Sequence, residues 1–479
     1  MSTKKNKKKR LSKNRKNWLI VPIAVILLII AALLAYKPVA NKGRALAVGE
    51  LLGDPHAEWL GMYMKGYKVG YVVSKIDTLK DGYRVQSYTY MRINPVSGQE
   101  KEVEYLVEAR TDTGFDMKGF SFRMVSGDYQ FTARGERRGK KLTIHYTSGG
   151  EERVIEKELK LPQLPATLEG LVSLGKTGEF EFYDPTTQSL MKVKVRYTGE
   201  GIYGGAKVKQ YVIEMQGIEI RFTVTLEGKL LKEELPIGIV MLSEDKEKAM
   251  NVEGLPEGLY ASYAVKTDRV IRRPRHVSYL KVRLLNADID ELNIQDDRQK
   301  LNGRVLTIRT VQPEYNVEIP ESLVVYTQPE EFIPCDDPLI VNKAKEIVGD
   351  SKGWDAVEKL NMWVYTHLKK KPTFSIPEPI EVLRTMEGDC NEHSALFVAL
   401  ARAAGIPARV EVGLVYFGDG FYYHAWAGVW AGKWVSVDPT FGQNIADATH
   451  LKLEQGGFEK QVKLYRVINK LRIEVIEYD

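Results

Sequence analysis

Cys390 stands in EGDCNEHSALFVALARAAGIPARV, residues 387–410, with Asp389 before it and Glu392 two residues after it. Asp followed three residues later by Glu, ahead of an Ala- and Leu-rich run, is a capping-box pattern. It predicts a helix that begins at Cys390 and is ended by Gly405 and Pro407. A cysteine at the first helical position faces free backbone N–H groups and the positive end of the macrodipole, which favour the thiolate. Leu396, Phe397, Leu400 and Ala404 give the same helix an apolar face that does not need the cysteine.

The segment GFYYHAWAGVWAGKWVSVDPT reads as a strand hairpin turning about Ala431, Gly432 and Lys433, which pairs Trp430 with Trp434. Counting back pairs Trp426 with Asp438 and makes His424 and Asp438 diagonal neighbours on one face, within side-chain reach. A helix-tip thiol, a strand histidine and a carboxylate on the next strand are the three parts of an activated nucleophile. His393, one turn beyond Cys390, is a rival base, but a histidine on a facing strand can both approach the thiol and hold a carboxylate. His450 reads as a loop or strand residue, and Cys335 as a structural thiol. The histidines offer no metal-ligand spacing.

The three segments GDCNEHSALFVALARAAGIPARV, YYHAWAGVW and WVSVDPTFG resemble the blocks of transglutaminase-like proteins, a branch of the papain-like thiol superfamily, over roughly residues 336–460. The resemblance implies Cys390 as nucleophile, His424 as base and Asp438 as the residue that orients it. It also implies cysteine-dependent acyl transfer or hydrolysis on protein or peptide amides, with no cofactor. Nothing resembles the calcium sites of animal transglutaminases. The alternative is a non-catalytic envelope scaffold that grips a peptide or glycan, and a third reading is a lipid carrier centred on the amino-terminal half.

The elements that must hold these residues divide the chain. From Trp59 to about Leu242 period-two alternation, as in YKVGYVVSKI and KEVEYLVEART, predicts an antiparallel meander with turns at LKDGY, VSGQE and TSGGEE. A short helix is expected at Ala166–Leu174. WLGMYMKGYKVGYVV resembles the opening strands of bacterial envelope proteins with a large curved sheet. Apolar residues at helical spacing return only after Asp336. The expected fold class is therefore α+β: an antiparallel β domain over 57–265, a β-rich connecting region over 266–325 and a transglutaminase-like α+β domain over 326–479.

The first 17 residues hold nine Lys or Arg and no acid, and Trp18–Tyr36 is an uncharged apolar run. At about 1.5 Å per residue that run just spans a hydrocarbon core of roughly 30 Å. The expectation is a basic cytoplasmic tail (1–17), a single-pass transmembrane helix (18–36) in the inner membrane, a linker (37–56) and a bulk that is periplasmic or extracellular. The implied partners are the lipid bilayer and a protein or peptide substrate in the envelope. The formal net charge of +6 falls to near −3 without the tail, which removes the electrostatic footprint of a nucleic-acid binder.

Overall fold

The structure is a computed structural model. It describes residues 45–479 except for 94–100, 128, 149–150, 163–171, 174, 187, 216, 236–237, 255–263, 316, 331, 372–375, 457–459, 462, 465–466 and 468–469.

The alternating segments after Trp59 form one sheet of fourteen strands, from β1 (Glu58–Met64) to β14 (Ile239–Ser243). β1 to β8 (Glu151–Glu158) run as one meander and β9 (Gly178–Asp184) to β14 as another, and the two join through the antiparallel pair β1–β14. The period-two pattern is what buries one face. In β12 (Ile218–Thr225) Ile218, Ile220, Phe222 and Val224 turn inward while Glu219 and Arg221 face solvent. The two outermost strands lie close together: Glu181 N on β9 donates to Pro162 O, just past β8. Phe120 stacks at 5.7 Å on Tyr183 across the interior. Residues assigned to a linker include helix α1 (Ala45–Gly53), whose buried Leu51 packs with Trp59, Tyr71 and Tyr88 on the outer face of the sheet.

After the short helix α2 (Lys246–Met250), strands β15 (Val265–Lys266), β16 (Tyr279–Leu285), β17 (Gln299–Asn302) and β18 (Val305–Arg309) belong to the carboxy-terminal architecture. There α3 (Pro338–Val348), α4 (Gly353–His367), the two-residue strand β19 (Lys369–Lys370), α5 (Pro379–Thr385) and β20 (Glu387–Gly388) lead to α6 (Cys390–Ala403). The chain then returns to strands: β21 (Ala408–Phe417), β22 (Gly420–Trp430), β23 (Trp434–Val437), β24 (His450–Gln455) and β25 (Arg472–Tyr478). One sheet runs β15-β22-β21-β24 with β23 on β22, and another runs β17-β18-β16-β25.

Two expectations are corrected here. The chain is mostly β, with 50% strand and 19% helix, rather than α+β. Among the described residues the longer helices cluster between Pro338 and Ala403, with the nine-residue α1 and the five-residue α2 outside that stretch, whereas strand pairing continues on both sides of it. The transmembrane helix, and with it the single-pass inner-membrane placement, is also corrected: no helix among the described residues is long and apolar enough to cross a membrane. The longest of them, α4, has 15 residues and carries Asp355, Glu358 and Lys359, so it rises only about 22 Å and could not leave those charges in lipid. Trp18–Tyr36, on which that expectation rested, lies outside the described residues, as does most of the helix expected at Ala166–Leu174.

Because β16 and β18 pair with each other and β16 with β25, a fragment starting at residue 326 loses the partners of its last strand and exposes the groups that face Leu280, Val282, Leu306 and Ile308. Residues 326–479 alone are expected to aggregate or to melt without a cooperative transition, as read by near-UV circular dichroism on heating. A sharp melt matching that of the same region in the full chain would show that the fragment is self-sufficient.

Candidate active site

The capping box forms as its sequence requires. Asp389 Oδ1 accepts the Asn391 N–H at 2.7 Å, and Glu392 Oε2 accepts the Asp389 N–H at 2.9 Å. The cap occupies the N–H groups of Asn391 and Glu392 and leaves that of Cys390 outside the box. α3, α4 and α5 pack on the helix, whose Leu396, Phe397 and Leu400 join Ile340, Leu360 and Val364 in one apolar cluster. The buried cysteine at its tip belongs instead to the other apolar cluster, the one that includes residues of β21 and β22 such as Val412, Leu414, Tyr423 and Ala425.

The hairpin register is the one counted from the turn: Trp430 pairs with Trp434 and Ala427 with Val437, and the ladder stops one pair short of Trp426–Asp438. Asp438 leaves the strand and closes a turn with Gln443 through two backbone hydrogen bonds of 2.8 and 3.0 Å. Its Oδ1 accepts the N–H groups of Thr440 and Phe441 at 2.7 and 2.9 Å. Its Oδ2 accepts from His424 Nε2 at 2.9 Å. The same turn lays the Phe441 ring on His424 at 4.8 Å between centroids, nearly parallel. Across strands, the buried Glu411 carboxylate accepts from Trp426 Nε1 at 2.9 Å and Ser436 Oγ at 2.6 Å, tying β21 to β22 and β23.

The structure therefore brings His424 and Asp438 into direct contact, and places Cys390 near enough to the backbone of Ala425, the residue that follows His424, and to Asp438 for both to act on its thiol. His393 is not in that arrangement. Its Nδ1 donates to the Asp389 carbonyl at 2.6 Å, and burial holds its pKa down at about 4. Cys335 is buried elsewhere with its thiol toward the Thr327 carbonyl at 3.5 Å, and both cysteines are free.

Sequence reasoning missed His450. It lies at the start of β24, wholly buried, and its Nε2 donates to Asp438 Oδ2 at 2.9 Å, the oxygen that also receives His424. β24 reaches this position by pairing with β21, where Gly413 allows the approach: a Cβ there would lie 2.1 Å from the Leu451 carbonyl oxygen. Behind His450, Asp447 lies 3.0 Å from Arg275, which comes from the connecting region and stacks over the other side of Phe441 at 4.9 Å. One nitrogen of each ring and one Asp438 oxygen lie within 4.8 Å of one another, in a hydrogen-bonded arrangement in which both Nε2 atoms donate to that oxygen. No local pattern signals any of this, because the contacts join segments that are separate in the chain.

The protonation states follow from burial. Desolvation pushes the Cys390 thiol well above its ordinary range; Asp389 and Glu392 add to this, and the Ala425 N–H opposes it only in part. This corrects the expectation of a low-pKa thiolate: the helix tip is buried, and its capping carboxylates offset the macrodipole. Burial likewise lowers His424, although Asp438 pulls the other way. For Asp438, burial would raise the carboxyl, but the two histidines outweigh it and hold the group well below the usual carboxylate range. Burial thus favours a neutral thiol at Cys390 and a neutral imidazole at His424, whose Nε2–H is committed to Asp438.

Residues 342–439 match the profile of the transglutaminase-like superfamily, so this stretch is a transglutaminase-like domain. No curated protein matches the chain. Among solved structures, a protein described provisionally as a cysteine protease, from Cytophaga hutchinsonii, is similar at 13% identity and a TM-score of 0.27, covering 42% of this chain and 86% of that one. A β-barrel-like protein of a domain of unknown function from Brucella abortus aligns at 11% identity and a TM-score of 0.30, covering 39% of this chain and 95% of its own. A provisionally described protease from Parabacteroides distasonis aligns at 11% identity and a TM-score of 0.19, covering 68% of each chain. At these scores the three carry no argument.

A raised thiol pKa has a direct kinetic consequence, since only the thiolate alkylates. Iodoacetamide should modify Cys390 slowly at pH 6 to 7, with the rate climbing about tenfold per pH unit toward pH 9. A rate already on its plateau at pH 6 would instead mark a thiolate–imidazolium resting pair.

Proposed function

We propose that the chain is a cysteine-dependent enzyme that cleaves or transfers the acyl group of protein or peptide amides, with Cys390 as nucleophile, His424 as general base and acid, and Asp438 as the group that orients His424. The family match over residues 342–439 supports a papain-like thiol enzyme. One observation carries the finer reading: Asp438 occupies His424 Nε2 and leaves Nδ1 as the basic nitrogen, on a strand residue adjacent to Ala425, whose backbone acts on the Cys390 thiol.

In the first step His424 Nδ1 takes the thiol proton as the sulfur bonds to the amide carbon, and the carbonyl π pair becomes an oxyanion. The Cys390 N–H, outside the capping box, is a donor for that oxyanion. Collapse re-forms the carbonyl and breaks the C–N bond, and the amine departs with the proton returned by His424. Water or an acceptor amine then attacks the thioester while His424 takes its proton, and the sulfur leaves and is reprotonated. The acid product makes the enzyme a protease or amidase, and the amide product makes it a transglutaminase.

A panel of N-acyl glutamines and short peptide amides with hydroxylamine as acceptor tests the reading. The wild-type chain should form hydroxamate and an acyl adduct on Cys390 detectable by mass spectrometry. Cys390→Ser and His424→Ala should each lose roughly 10⁴-fold or more in rate, as nucleophile and base act as a unit. Hydroxamate formation that survives Cys390→Ser would remove Cys390 as the nucleophile, and a wild-type chain that forms neither hydroxamate nor an acyl adduct would sink the proposal in favour of a binding module.

A further inference from the structure

We propose that His450 is a positioning residue of the thiol site: a buried imidazolium that anchors the Asp438 oxygen shared with His424 and balances the charge of two buried carboxylates. The proposal rests on the thiol–imidazole reading above for its catalytic meaning, but its geometry stands on its own.

Both ring nitrogens of His450 face acceptors. Nε2 lies 2.9 Å from Asp438 Oδ2, and Nδ1 lies 3.3 Å from the Asp447 carbonyl oxygen and 3.5 Å from Asp447 Oδ2. A neutral imidazole has one N–H, so one of these contacts would set a lone pair against an oxygen lone pair; two protons satisfy both. His424 differs: among the described residues, only its Nε2 faces a hydrogen-bond acceptor.

The charges around the ring agree. Asp438 and Asp447 are buried carboxylates, and of the cations in contact Arg275 pairs with Asp447 alone. An unprotonated His450 would leave the buried Asp438 anion hydrogen-bonded but without a cationic contact partner. Other charged or titratable groups facing the array include Arg298, which donates to the carbonyls of His450 and Asp447 at 2.8 Å each, the Cys390 thiol, the buried His393, and Lys370, whose charge reaches Asp438. The Asp447 and Asp438 contacts overcome burial and raise the pKa of His450.

This assigns His450 two effects on His424. It competes for Asp438 Oδ2 and so limits rotation of the carboxylate, whose other oxygen is already held by the turn. Its fixed charge, with ring centroids 5.9 Å apart, disfavours a second charge on His424 and keeps that ring able to accept the thiol proton.

The test uses the full chain labelled with ¹⁵N-histidine and long-range ¹H–¹⁵N spectra. In the wild type at pH 7.5 both His450 nitrogens should carry protons. In His450→Gln, which keeps a neutral N–H donor, the imidazolium fraction of His424 one pH unit above its wild-type midpoint should rise about fivefold. A singly protonated His450, or an unchanged His424 midpoint in His450→Gln, overturns the proposal. If the variant does not fold, the wild-type spectrum alone decides. Separately, a wild-type chain that forms no hydroxamate would end the enzymatic reading without altering the measured charge of His450, so the two failures are distinguishable.

Discussion

The carboxylate of Asp438 is the constraint from which the rest of the site follows. It is fully buried and accepts four N–H groups: two from its own turn and one from each of two imidazoles. A buried anion persists only where donors and counter-charge replace water. Here the donors fix its orientation, and His450 with Arg275 and Asp447 extends the compensation outward. Because Asp438 cannot turn, His424 presents a single tautomer and a single ring face, and Phe441 closes the other.

That constraint explains why so much of the chain is built around a few side chains. β24 must lie beside β21 to deliver His450, and Gly413 is the residue that lets it. The connecting region supplies Arg275 to the Asp447 side and Arg298 to the carbonyls behind it, while its strands share a sheet with the carboxy-terminal strand β25. The fourteen-stranded sheet reaches the same neighbourhood: Tyr129 Oη accepts the Ile376 N–H at 3.2 Å, and Arg153 lies 3.2 Å from Glu378 just ahead of α5. The apolar core is continuous from the sheet to Cys390.

On the proposed reading, a neutral thiol and a neutral imidazole require proton transfer during attack rather than before it. Burial does this by penalising charge on both partners, which leaves little ion pair in the ground state. In the proposed mechanism, burial of this kind strengthens hydrogen bonds to the developing oxyanion and so concentrates stabilisation in the transition state.

The sequence by itself determined the local elements. The capping box at Asp389 and Glu392, the hairpin register about Gly432 and the alternation of the amino-terminal strands all arise from interactions between residues near in the chain, and each has the expected form. The pairing of His424 with Asp438 was legible because one hairpin carries both. What only the tertiary structure decided is how the segments converge and what burial does to them. His450, Arg275 and Phe441 reach the site through strand pairing and turns that no short-range pattern encodes. The class shifted from α+β to mostly β because strand pairing in the connecting and terminal segments is non-local. The Cys390 thiol moved up rather than down because desolvation is a property of the packed interior, set by every element around the helix tip, whereas the helix dipole that sequence reasoning relied on is a property of one element alone.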